Sequence, residues 1–187
     1  MSSLTPRRER LSDSEGGSQM SLSVDRSQAM EIDALELVES CLTEAGWDFQ
    51  RDEDEETLQC IAASKWGDMG GMFANRAEPP AMHFSITLDV KPTETRRQAL
   101  AELVMMANER LWLGHFDYWA DEGVIIFRHA IPMLDRVEPE SGEIRAVMAA
   151  GLDAVNMFVP AFNFVIWAGK TPREALEAAL FETAGEA

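Results

Sequence analysis

Two cysteines, one tyrosine and three histidines in 187 residues leave little raw material for most site chemistry. A structural zinc site needs four ligands, so Cys41 and Cys60 cannot build one unaided. Both lie in apolar stretches and read as buried thiols of a reducing, cytoplasmic compartment. Basic residues are scarce as well: Lys and Arg number 16 against 33 Asp and Glu, a net charge of −17. That field repels phosphate backbones and anionic lipid, and the densest basic runs, Arg7-Arg8-Glu9-Arg10 and Arg96-Arg97, are short. No nucleic-acid partner and no membrane partner is therefore expected. There is no Gly-x-Ser-x-Gly elbow, and the Gly-rich stretch from Lys65 to Gly71 lacks the Lys-Ser/Thr ending of a phosphate loop. No run of 18 uninterrupted apolar residues occurs, and the N-terminus has no apolar signal core. Catalytic residues and a cofactor are not expected. Glu109, Asp117 and Glu122 stand near aromatics and are the carboxylates to consider for acid–base work, but solvated charge describes each of them better.

What is present organises as one domain behind a tail. Residues 1–28 are rich in Ser, Arg, Asp, Glu and Gly and read as a disordered arm; residues 29–183 read as a single α+β domain. The spacing of Ile32, Leu35, Val38 and Leu42 predicts a helix over residues 29–45 stopped by Gly46. Residues 47–51 alternate as a strand, and the five carboxylates from Asp52 to Glu56 make a solvated turn. Leu58, Cys60 and Ala62 mark one face of the next strand. Lys65 to Gly71 reads as a turn or bulged corner, followed by a weak strand over residues 72–76. Met82, Phe84, Ile86, Leu88 and Val90 then alternate with His83, Ser85, Thr87 and Asp89, the clearest strand in the chain.

Thr93 is placed to cap a helix over residues 94–112 ended by Gly114. From Phe116 to Arg128 the pattern predicts a hairpin in which Phe116 opposes Phe127 and Tyr118 opposes Ile125, with Asp117 and Arg128 a diagonal ion pair on the other face. A long apolar helix begins near Ser141, and Pro160 must kink or split it. Thr171-Pro172-Arg173-Glu174 is a capping box for the last helix. Consecutive strands with short turns imply an antiparallel sheet with helices mainly on one face.

Two candidate sites follow. The first is a partner surface: Phe73, Phe84 and Trp119 on the sheet, with Met148, Leu152 and Val155 on the long helix, whose apolar excess suggests a homodimer interface. The second is a small-molecule or metal site from His115, Asp117 and His129. It requires a hairpin turn of odd length, because an even one sends the two histidines to opposite faces.

Leu111-Trp112-Leu113-Gly114-His115-Phe116, Asp121-Glu122-Gly123-Val124 and Phe127-Arg128 resemble the signature of the YbjN-domain family, bacterial proteins regarded as sensory transduction regulators. Phe158-Val159-Pro160-Ala161-Phe162 and the stretch from Gly169 to Ala175 are similar to that family's C-terminal pattern, so the likeness runs from Ile32 to Glu182. It implies a fold like that of type III secretion chaperones, small acidic dimers that hold a partner polypeptide extended. It brings no catalytic residue with it. The expected function is a non-enzymatic, dimeric, protein-binding or regulatory module with a polypeptide partner.

Overall fold

The carboxylate of Asp33 accepts the Leu35 N–H at 2.9 Å from an extended backbone, and this cap opens the first helix, α1 (Ala34–Ala45). The computed structural model describes residues 33–52 and 54–184. The predicted tail over 1–28, and the start of the helix predicted to begin at Ala29, lie outside them. At its other end α1 closes on Gly46 in the left-handed conformation, as the sequence predicts.

Six strands follow in two groups: β1 (Phe49–Asp52), β2 (Thr57–Ser64), β3 (Gly67–Ala77) and β4 (Pro80–Leu88), then β5 (His115–Trp119) and β6 (Val124–Pro132). They form one antiparallel sheet in the order β1-β2-β3-β4-β6-β5. The α+β class and antiparallel sheet expected from the sequence are what the chain adopts. Helices α2 (Arg97–Asn108), α3 (Ser141–Ile166) and α4 (Pro172–Ala184), with α1, supply the rest.

The hairpin register is the predicted one: Phe116 opposes Phe127 and Tyr118 opposes Ile125. Phe116 and Phe127 pack edge to face at 5.7 Å, and Phe116 meets Phe158 and Phe162 of α3 at 5.8 and 5.2 Å. The turn spans Ala120 to Gly123, where the Gly123 N–H donates to the Trp119 carbonyl at 2.8 Å. Cys41 and Cys60 are buried free thiols, and burial pushes the Cys60 thiol up to about 12. At Gly151 the α3 backbone lies so close to the sheet that a Cβ would fall 2.8 Å from Phe84 and 3.0 Å from Phe127.

Several expectations need correction. β3 begins at Gly67, not Met72, because only Lys65 and Trp66 form the turn; Gly67 takes φ +113°, which an L side chain resists. Thr93 makes no helix cap: its hydroxyl pairs with that of Thr95 at 3.0 Å, and a 3-10 turn over Glu94–Arg96 precedes α2. α2 stops at Asn108 rather than near Trp112. The Asn108 amide donates to the Phe116 carbonyl at 3.0 Å and accepts the Phe116 N–H at 2.7 Å, standing in for a neighbouring strand at the β5 edge. Gly114 is required for a different reason than helix termination: it has φ +74°, and the Phe127 ring occupies the space a Cβ would need.

α3 is not split at Pro160. Proline leaves the carbonyl of Asn156, one turn back, without its helical donor. The indole N–H of Trp66 donates to that oxygen at 2.9 Å, while the Asn156 side chain accepts the Lys65 N–H at 2.8 Å. The β2–β3 turn thus docks on the helix where the helix needs a partner. α3 is long and apolar enough to cross a membrane, yet its buried residues, from Ile144 to Ile166, serve the core of this fold. The Thr171–Glu174 capping box forms as expected: both the Thr171 N–H and its hydroxyl donate to Glu174, at 3.0 and 2.8 Å.

Candidate binding surface on the open sheet face

In a strand, side chains alternate between the two faces, so the ladder assigns every residue a side. Leu58, Cys60, Phe73, Met82, Phe84, Ile86, Ile125 and Phe127 point into the helix-covered core and are buried. The opposite face carries Gln59 and Ile61 from β2, Gly70, Met72, Ala74 and Arg76 from β3, and His83, Ser85 and Thr87 from β4. It also takes Val124, Ile126 and Arg128 from β6 and His115, Asp117 and Trp119 from β5.

A cavity of about 540 Å³ opens on this second face, with Met72, Ala74, Val124, Ile126 and Trp119 as its apolar lining. Met72 and Trp119 are 40% and 41% exposed. Gly70 and Thr87 lie in the same row as Ile126, leaving a low channel between the Met72 and Val124 rows. The charged groups lining the cavity are Arg76, Arg128 and Glu122, with His83 beside them. In a chain of net charge −17 this lining is locally cationic.

Arg128 is held in place. It pairs with Asp117 at 2.5 Å, the predicted diagonal contact, and donates to His115 Nε2 at 3.2 Å. Among the described residues Arg76 has no carboxylate within ion-pair distance. Burial, with Arg76 and Arg128 nearby, holds the His83 imidazole below its ordinary value, so it is neutral on this face near pH 7.

Phe73 and Phe84, predicted as a sheet contact surface, stack on each other at 4.5 Å inside the core, at 0% and 1% exposure. Met148 and Val155, predicted at a helix interface, are also buried in the chain's own core. All four are corrected: parity turns the two rings toward the helices, and α3 spends its apolar stripe on the sheet. Trp119 and Leu152 do reach the surface, Trp119 on the open sheet face and Leu152 half-buried on α3. The His115, Asp117 and His129 set also fails. The four-residue turn is even, so His129, opposite Phe84, faces the helix side while His115 and Asp117 face the open side. Among the described residues no group of three potential metal ligands converges.

Sequence reasoning missed Met72, Ile126, Arg76 and His83 as a set. The signal for them was the alternation in β4, which assigns His83, Ser85 and Thr87 to one side; pairing β3 and β6 to β4 would have assigned the rest.

The family model for YbjN, described as "Putative bacterial sensory transduction regulator", matches residues 34–164. It ends before the Gly169–Ala175 segment. Among curated proteins none matches. Among solved structures, the crystal structure of YbjN from E. coli is similar at a TM-score of 0.46 and 12% identity, over 66% of this chain and 89% of that one.

Proposed function

The chain belongs to the YbjN family of bacterial sensory transduction regulators, and we propose that it is a non-enzymatic regulatory module that holds another polypeptide, chaperone-like, on its open sheet face. One observation carries this reading: helices cover one face of the six-stranded sheet, and the other presents an apolar cavity of about 540 Å³ where a solvent face would be polar. Among the described residues the cavity is lined by one carboxylate, Glu122, and not by a pair. The free, buried thiols of Cys41 and Cys60 suit action in the cytoplasm.

Homodimerisation is part of the proposal. With Met148 and Val155 in the core, the surface left to it on α3 is the exposed strip from Ala146 through Ala149 and Leu152 to Met157. A photo-crosslinking side chain installed in cells at Met72, at Trp119 and at Ala149 tests both parts. Adducts to a different polypeptide are expected from Met72 and Trp119, and adducts to a second copy from Ala149. Absence of any polypeptide adduct at both sheet positions, in a protein that retains its fold, refutes the partner surface.

A further inference from the structure

Resting on that reading, we propose that the partner segment recognised by the open sheet face is an extended stretch presenting a carboxylate to Arg76 and Arg128, with bulky apolar side chains two and four residues further on. The argument starts from charge. The chain carries about twice as many acidic as basic residues, yet Arg76 and Arg128 both line this one cavity, on either side of a neutral His83, against a single lining carboxylate among the described residues, Glu122. Asp117 fixes the Arg128 guanidinium from the β5 side but leaves Arg76 without a carboxylate partner among the described residues. An unpaired guanidinium on an otherwise anionic protein is the complement of an incoming carboxylate.

Spacing supplies the rest. Arg76, Ala81 and Pro132 form one row across the sheet; Ala74, His83 and Ala130 form the next, Met72, Ser85 and Arg128 the third, and Gly70, Thr87 and Ile126 the fourth. Val124 and Trp119 make the row beyond. His83 and Thr87 are four residues apart on β4, about 13 Å at the rise of a strand. An extended peptide has the same rise and alternates its side chains, so residues i, i+2 and i+4 face the sheet together. A carboxylate at i over His83 lies between Arg76, one row back, and Arg128, one row on, and places the i+2 side chain beside Met72. The i+4 side chain then enters the Gly70–Thr87–Ile126 row, where Gly70 leaves room and Trp119 stands beyond. A cationic residue at i would instead meet two guanidiniums.

The experiment uses the full chain and three fluorescein-labelled hexapeptides, Xaa-Ser-Leu-Ser-Phe-Ser, capped at both ends, with Glu, Gln or Lys at the first position, read by fluorescence anisotropy. The Glu peptide is expected to bind about fivefold more tightly than the Gln peptide, and the Lys peptide least, as one partly exposed charge contact allows. In R76A the preference for Glu over Gln should fall to within about twofold, the Gln peptide binding as before. Equal binding of all three peptides by a Met72-dependent interaction overturns the carboxylate inference and leaves the partner reading standing. If no peptide binds the folded protein, or binding survives M72E and W119S together, both fall.

Discussion

Replacing Trp66 by Phe tests how α3 tolerates its proline. Pro160 has no N–H, so the Asn156 carbonyl would face a void in the helical ladder, and the Trp66 indole N–H fills it at 2.9 Å. Trp66 is 47% exposed, so Phe retains much of its limited apolar contact and the change falls on the hydrogen bond. A hydrogen bond of this kind contributes about 1 kcal/mol net. With an m-value of about 2 kcal/mol/M for a domain of this size, the urea midpoint of W66F should fall by about 0.5 M with m unchanged. The decisive comparison is made in a Pro160→Ala background. There the restored N–H of residue 160 satisfies the Asn156 carbonyl, and W66F should cost close to nothing, a coupling of about 1 kcal/mol in the double-mutant cycle. Equal costs in the two backgrounds would refute the reasoning: Trp66 would then stabilise through contact alone.

Asn108→Ala removes both hydrogen bonds that stand in for a strand neighbour at Phe116. It should cost about 2 kcal/mol by urea denaturation and speed hydrogen exchange at the Phe116 amide; exchange at the wild-type rate would count against the staple. The pH dependence follows from His83 and His129, both held below their ordinary value, by burial first and by Arg76 with Arg128, or by His115, second. Because the folded values are the lower ones, this contribution is fully present above the unfolded value of about 6.5 and is lost as pH falls through the folded values. The urea midpoint should hold steady above pH 7 and decline over the interval below about 6.5, and H83Q/H129Q should flatten that decline. A flat wild-type profile over the interval contradicts it.

Local patterns in the sequence were legible where a single element contains its own cause. The β4 alternation, the Gly46 stop, the Thr171–Glu174 box and the Phe116–Phe127 register each lie within one helix end, one strand or one hairpin, and all appear in the structure as read. Features that depend on a partner outside the helix end, strand or hairpin were not legible. Asn108 ends α2 by binding a strand eight residues on, and Pro160 stays within one helix because a turn some ninety residues earlier supplies a donor. The candidate surface failed for the same reason. Phe73 and Phe84 look equally suited to a core and to a contact surface; only the pairing Phe73↔Phe84, under α3, decides which. Reading Gly67 to Gly71 as a corner shortened β3 and hid the row that places Met72 and Gly70 beside Ser85 and Thr87.

The composition of the open face is not one the fold requires. An antiparallel sheet covered on one side alternates apolar and polar residues, and β4 obeys this with His83, Ser85 and Thr87 outward. Its neighbours do not: β3 turns Met72 outward, β2 Ile61 and β5 Trp119, all three exposed, while β6 adds a half-buried Val124 and a buried Ile126. Thr at Ile61 would keep strand propensity and remove its exposed apolar area, so stability gives no reason for that choice. The core is closed by the other face, where Phe84, Phe127 and Ile86 meet the α3 backbone at Gly151. Exposed apolar side chains at Met72, Ile61 and Trp119, beside an arginine with no carboxylate partner among the described residues, are the surface that the proposed partner segment would cover.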